Sequence, residues 1–297
     1  MNICHSEPEN IGRIAYSCIC CGSAYLRKSP AILMPFVAFR AFGWEPVEID
    51  ASWGLKTINS GTAYSICNSI FCSNCELLFL DIRFSDMEVK SLYSGYRNKL
   101  YVDTREKYEP GYKIRNDDLN EGITHIDQIE SFLSNYVSIP MRLLDWGGDT
   151  GKNTPFKRRN INFHIFDISK IEPQFGAKSV SKSEMLENTY DLIICSHVLE
   201  HVPYPVSLIQ EMKNAMYDQT ILYIEVPLEE IVRLSDNSNQ LHLRKKHWHE
   251  HINFFSEKSL LTMMNLCGFI VLEIKKINIG KGNSEVFVFQ IACKLES

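Results

Sequence analysis

Three groups of residues in this sequence have the types and spacing that chemistry requires. Cys18 and Cys21 are separated by two residues, and so are Cys72 and Cys75. Such a turn directs two thiolates to one side, and two turns together complete the four-sulfur tetrahedron of a structural zinc site. Cys20 and Cys67 lie close enough in sequence to replace a neighbour. Cys4, Cys195, Cys267 and Cys293 sit in apolar or terminal contexts that suit buried thiols. A reduced cluster without metal is the plainer alternative. The second group is Leu143-Leu144-Asp145 running into Trp146-Gly147-Gly148-Asp149-Thr150-Gly151. A strand that ends in an acid and enters a glycine-rich turn marks a ligand site at the carboxyl edge of an open sheet. Asp167 follows Asp145 by 22 residues, about the distance at which a second acid reaches a ribose diol. The third group, Glu200-His201 and His247-Trp248-His249-Glu250-His251, offers imidazoles and carboxylates able to take up a proton.

Charge decides which nucleoside the loop suits. A pyrophosphate needs bare backbone N–H groups close by, and Asp145 with Asp149 would repel it. A cofactor carrying an ammonium and a sulfonium, such as S-adenosylmethionine, suits both carboxylates, while Asp167 takes the ribose. His247, His249 and His251 alternate, so in a strand they would share a face and could hold zinc. Arg244, Lys245 and Lys246 beside them oppose a cation. That basic run reads as a solvated face, or as a contact for the phosphates of a nucleotide-linked substrate.

These motifs resemble class I S-adenosylmethionine-dependent methyltransferases. Leu143 to Gly151 is similar to the family's first motif, with Asp149 in place of a glycine, and Asp167 matches its ribose-binding acid. Tyr190 to His201 resembles the fourth strand and the segment after it, and Leu222 to Pro227 the fifth. His249 to Ser256 resembles a segment of sugar C-methyltransferases that carries their base, and those enzymes also have an N-terminal zinc lobe with paired cysteines. The resemblance implies that Asp145, Gly147, Gly148, Asp149, Gly151 and Asp167 hold the cofactor, with Ser196 and His197 on its adenine side. It implies His251 as base, Glu250 contacting or polarising the substrate, and a sugar or nucleotide-sugar acceptor for C- or O-methylation. His201 is a further catalytic candidate, or a helix-start residue that orients the backbone. Trp248 stands where those enzymes have a tyrosine, and a counterpart of their additional C-terminal domain is not expected.

The elements that must position these groups are legible as patterns. Residues 1–84 are rich in cysteine and short β-prone runs, Ala63 to Phe71 and Leu77 to Ile82, and read as a small zinc-binding β lobe. Residues 85–121 form a tyrosine-rich helical linker, opened by the capping pair Ser85 and Glu88. Tyr93, Tyr96, Tyr101, Tyr108 and Tyr112 there serve helix packing or line a substrate cleft. Residues 122–297 alternate strand and helix: a helix through Ile126, Ile129, Phe132, Leu133 and Tyr136 ends before Pro140, with strands at 142–146, 161–166, 190–195 and 221–226. A helix capped by Ser256 and stopped at Gly268, then two strands, 269–274 and 285–292, joined near Gly280 and Gly282, finish the pattern. The expected fold is α/β, a Rossmann-like, mostly parallel sheet with an antiparallel C-terminal hairpin, beside the small β lobe.

Composition narrows the function classes. With 31 Lys and Arg against 36 Asp and Glu, the net charge is −5, which argues against a polyanionic partner such as nucleic acid. Met1 to Asn10 has no basic, apolar leader pattern, and the longest apolar stretch, Ala31 to Phe42, falls short of the roughly 20 residues that span a bilayer. A cytoplasmic enzyme with a small-molecule substrate and no membrane contact is expected; oligomeric state is not readable. The alternatives are a scaffold that binds cofactor without turnover, kept open by Asp149, and a nucleic-acid methyltransferase.

Overall fold

The structure, a computed structural model, describes residues 12–54, 60–159, 162–169, 171–280 and 285–296. Readings that fall on Met1 to Asn10, Cys4 and Gly282 lie outside these residues. The described strands are β1 (Leu26–Leu33), β2 (Val47–Ile49), β3 (Gly61–Ala63), β4 (Ile66–Cys72), β5 (Leu78–Leu80), β6 (Arg142–Trp146) and β7 (Asn162–Phe166). They continue with β8 (Lys178–Ser179), β9 (Leu192–Ser196), β10 (Ile221–Leu228), β11 (His247–Trp248), β12 (Asn253–Phe254), β13 (Phe269–Asn278) and β14 (Phe287–Leu295).

Seven strands form the main sheet in the order β13-β14-β10-β9-β6-β7-β8. Pairings from β8 through β10 are parallel, whereas β14 runs antiparallel to both β10 and β13. The Rossmann-like sheet with its antiparallel C-terminal hairpin is therefore present. Central strands read as unbroken apolar runs because both faces are covered: Leu143, Leu144, Ile193, Ile194, Leu222 and Ile224 are all buried. Each such side chain contributes about 1.5–3 kcal/mol by leaving water. β8 carries no such signal, being two exposed residues at the sheet edge. Ile129, Phe132 and Leu133 bury one side of the helix Ile126–Leu133. Helix Glu257–Leu266 starts at the Ser256 cap and ends before Gly268, whose φ of +74° turns the chain into β13.

A second sheet has the order β11-β1-β4-β5-β12. β1, β4 and β5 come from the cysteine-rich segment, but β11 pairs parallel with β1 and β12 antiparallel with β5. Residues far along the chain thus complete the N-terminal sheet. The three residues between β11 and β12 that matter most, His249, Glu250 and His251, are thereby clamped where the two sheets meet.

After β5 come the helices Asp86–Tyr93, Lys99–Tyr108 and Tyr112–Glu121, whose buried residues pack with the second sheet. The Ser85–Glu88 capping box forms: the Ser85 N–H donates to Glu88 (2.8 Å), and the Glu88 N–H donates back to the Ser85 hydroxyl. Tyr101 and Tyr112 are buried in the core under these helices with Phe36 and Trp248, so packing accounts for them. Among the described residues no helix is long and apolar enough to cross a membrane.

Candidate active site

β6 is flanked by β7 on one side and β9 on the other, so successive connections leave it in opposite directions and open a crevice at its carboxyl end. The glycine loop fills the floor of that crevice. Gly147 has φ +81°, and a Cβ there would lie 2.5 Å from Val198; at Gly148 it would lie 2.6 Å from the Asp145 carboxyl carbon. Close descent of the loop onto its own strand therefore demands glycine at both positions. Gly151 caps the loop's far side, packed on Phe163 and Ile165. Asp145 is only 5% exposed beneath the loop, where it accepts the Thr154 hydroxyl, and burial pushes its carboxyl up to about 7. It supports the loop from below.

Asp149, the departure from glycine, has φ +51°, a conformation that Asp tolerates better than most side chains. Its N–H donates to Asp167 Oδ2 (3.0 Å), while Asp167 Oδ1 accepts the Ser169 N–H (2.7 Å) and hydroxyl (2.5 Å). A carboxylate offers about four acceptor positions, so Asp167 retains capacity for a hydroxyl. The Asp149 carboxylate meets Arg97 Nη1 at 3.2 Å, and burial raises its proton affinity against the pull of that guanidinium. Asp149 Oδ1 and Arg97 Nε are both buried without a protein partner. One ion pair thus keeps a free acceptor and a free donor, which together suit the ammonium and carboxylate of an amino-acid tail. By this measure the residues present fit S-adenosylmethionine.

Beyond β9 the site continues as alternating carboxylates and imidazoles. Glu225 of β10, fully buried, accepts from His125 Nε2 (3.1 Å), the Tyr223 hydroxyl (2.7 Å), Gln290 (3.1 Å) and the Ser196 hydroxyl (3.2 Å). His197 bridges Glu225 and Glu200, 3.3 Å from each. Burial opposes its charge, but hydrogen bonds to both carboxylates outweigh this and push it up to about 10. Burial likewise opposes ionising Glu200, yet the His197 hydrogen bond prevails and lowers it to about 2.

His201 and His251 face each other with ring centroids 4.6 Å apart. His201 Nδ1 lies 3.1 Å from the Glu250 carbonyl oxygen, which can only accept, and 2.8 Å from the Tyr93 hydroxyl, which can donate or accept. Burial, reinforced by the charge of His251, drives His201 down to about 4. His251 Nδ1 donates to Glu229 Oε1 at 2.6 Å. Burial would lower His251, but the Glu229 hydrogen bond overrides it and raises it. Glu250 is held by Arg105: its Oε1 accepts from Arg105 Nη2 at 2.6 Å, while its buried Oε2 lies 3.8 Å from His249 Nδ1 and has no hydrogen-bond partner. Burial lowers His249 to about 3. Among the described residues, the cluster of imidazole and carboxylate that could hold a metal ion is Glu200, His201 and His251, and neither His247 nor His249 belongs to it. Alternation in a strand therefore does not create the three-histidine site.

A family profile described as a methyltransferase domain matches residues 123–274, half of the chain. The chain belongs to this methyltransferase family. No curated protein sequence matches it. Among solved structures, a 1,6-didemethyltoxoflavin-N1-methyltransferase of Burkholderia thailandensis, with bound 1,6-didemethyltoxoflavin and S-adenosylhomocysteine, is similar at 14% identity and TM-score 0.48, over 66% of this chain and 86% of that one. An S-adenosylmethionine-dependent methyltransferase of Methanosarcina mazei is similar at 16% identity and TM-score 0.39, over 56% and 98%. The glycopeptide N-methyltransferase MtfA is similar at 9% identity and TM-score 0.43, over 58% and 90%.

The match to the methyltransferase family begins after the cysteine-rich segment. There Cys18 and Cys75 sulfurs lie 3.5 Å apart and those of Cys21 and Cys72 3.6 Å, with all four within 4.8 Å of one another. Four thiols at such spacing suit a tetrahedral zinc ion. Cys20 instead turns its sulfur to the Ser259 carbonyl (3.3 Å), and Cys67 is buried in the other core cluster, so neither replaces one of the four. Lys245 is buried as well, 4.2 Å over the Phe254 ring, and does not belong to a solvated face; Arg244 and Lys246 do. Sequence reasoning passed over Glu225, Glu229 and His125 of this methyltransferase's site. Glu225 and Glu229 follow a strand core as lone acids, a signal weak without knowing which strand edge is shared.

Proposed function

We propose that this protein transfers a methyl group from S-adenosylmethionine to a small polar acceptor, a sugar or nucleotide-linked sugar, at carbon or oxygen. The observation that carries the reading is the Asp149–Arg97 pair, which keeps a free acceptor and a free donor beside the glycine loop of a methyltransferase sheet. S-adenosylmethionine supplies an electrophilic methyl group on its sulfonium when bound. Asp149 and Arg97 hold its amino-acid end, Asp167 its ribose, and Gly147, Gly148 and Gly151 let the backbone approach, with Asp145 supporting them; Ser196 and His197 border the adenine side.

The acceptor lies against His201, Glu250 and His251. Methyl transfer needs an acceptor atom aligned behind the methyl carbon and relieved of its proton. Nδ1 of His251 is committed to Glu229, so Nε2 is the atom that draws on the acceptor's proton. Arg105 holds Glu250 in place and neutralises it. Support for a sugar comes from the resemblance of His249 to Ser256 and of the paired cysteines to sugar C-methyltransferases. Zinc on Cys18, Cys21, Cys72 and Cys75 would be structural, tying β1, β4 and the turn after β4 together.

Calorimetry with S-adenosylmethionine tests the cofactor half: binding is expected, weakened at least tenfold by Asp167→Ala, and equal affinity in the variant would overturn it. Mass spectrometry after incubation with a panel of nucleotide sugars tests the acceptor half through the gain of one methyl group. Binding without transfer to any acceptor would favour a cofactor-binding scaffold instead.

A further inference from the structure

Glu200, His201 and His251 come from two distant segments, yet one ligand atom of each lies within 4.8 Å of the others. What surrounds them prepares each as a ligand. His201 Nδ1 is held by the Tyr93 hydroxyl (2.8 Å) and the Glu250 carbonyl (3.1 Å), and His251 Nδ1 donates to the Glu229 carboxylate. With each Nδ1 engaged, Nε2 is the nitrogen left to face a ligand, and it can bind a cation when the ring is neutral. Metal-binding histidines are oriented in this way, with the far nitrogen fixed by a carboxylate or a backbone carbonyl. Glu200 provides the third group. One of its oxygens, Oε1, accepts from His197 at 3.3 Å, while Oε2, in a side chain with no solvent exposure, has no partner. Oε1 also lies 3.9 Å from His201 Nε2, and an unpartnered oxygen on the same buried carboxylate is costly unless a cation or donor satisfies it.

We infer that Glu200, His201 and His251 hold a divalent transition-metal ion, bound by two imidazole nitrogens and one carboxylate oxygen, with further coordination positions left for the acceptor. Two nitrogens and one oxygen suit manganese, iron, cobalt or zinc, and match no all-oxygen magnesium or calcium cage. The inference rests on the acceptor-pocket reading for its use: an acceptor hydroxyl ligated to such an ion loses its proton more readily. The proton passes to solvent water, and His251 serves as a ligand in place of taking it directly.

Manganese distinguishes this site from the cysteine cluster, since thiolates are poor ligands for it. Titration of the full chain with Mn2+, followed by the electron paramagnetic resonance signal of the free ion, should show one ion bound per chain. Glu200→Gln and His251→Ala should each weaken binding by more than tenfold, and Glu229→Gln by about 10- to 100-fold through loss of the orienting contact. His201→Gln provides a second ligand change should Glu200→Gln fail to fold, with far-ultraviolet circular dichroism and S-adenosylmethionine affinity as folding controls. Mn2+ that stays free while S-adenosylmethionine binds normally would overturn the inference and leave His251 as a direct base. Variants that bind Mn2+ like the unmodified chain would overturn it equally. Loss of cofactor binding by the unmodified chain would instead strike the proposed function, whatever the metal result.

Discussion

Arg97 reaches from the helical segment after β5 to place its guanidinium 3.2 Å from the carboxylate of Asp149, the residue that stands where the loop pattern has glycine. Both residues have positive φ, +62° and +51°, so the pair joins two strained turns. The charge that would make Asp149 hostile to a neighbouring carboxylate is balanced, and the loop gains a mixed-charge rim.

From this pair follows the first prediction. Arg97→Met should weaken S-adenosylmethionine binding about tenfold, by about 1.4 kcal/mol, because the carboxylate end loses its donor and Asp149 is left unbalanced. Isothermal calorimetry reads the change; undiminished affinity would show that Arg97 serves the loop alone.

The cysteine cluster predicts a metal count. One zinc per chain is expected by elemental analysis. Cys72→Ser should remove it and lower the melting temperature, while Cys20→Ser should retain it because its sulfur points at the Ser259 carbonyl. Zinc lost with Cys20 and kept without Cys72 would reassign the ligands.

Asp145 predicts a pH dependence. Burial lifts its carboxyl from 3.8 to about 7 in the folded chain, so the native state binds a proton more tightly than the unfolded one. Its contribution is destabilising once it ionises: the cost is absent below about pH 4, grows through pH 4 to 7, and is complete above. Three pKa units correspond to about 4 kcal/mol as an upper bound. Asp145→Asn should therefore gain on the unmodified chain between pH 5 and pH 8 in urea unfolding. A constant difference across that range would contradict the buried, proton-retaining carboxyl.

Arg105 and Glu250 predict a stability effect near the pocket. Arg105 is buried between Phe36 and Tyr112 and donates to Glu250 and Glu109. Arg105→Ala should destabilise by about 3–5 kcal/mol because it strands a buried carboxylate. Arg105→Met combined with Glu250→Gln should lose less than the sum of the single changes. Additive losses in denaturant unfolding would show the two residues to be independent.

The sequence by itself determined the parts whose signal is local. Apolar runs fixed the central strands, the Ser85–Glu88 box and Gly268 fixed helix ends, and Asp145 with the glycines after it marked a tight loop at a strand end. The paired cysteines also stood out, because a two-residue gap brings thiols to one side regardless of what lies between the pairs. Only the tertiary structure decided which residues meet across distance. β11, β12 and β8 are two residues each and too short for any periodicity to register. Once β11 and β12 are stitched into the N-terminal sheet, His251 arrives beside Glu229 and His201, Glu250 turns to Arg105, and Arg97 reaches Asp149. Such contacts depend on the packing of segments up to 145 residues apart, as Arg105 and Glu250 are, and residue spacing along a chain carries no record of them.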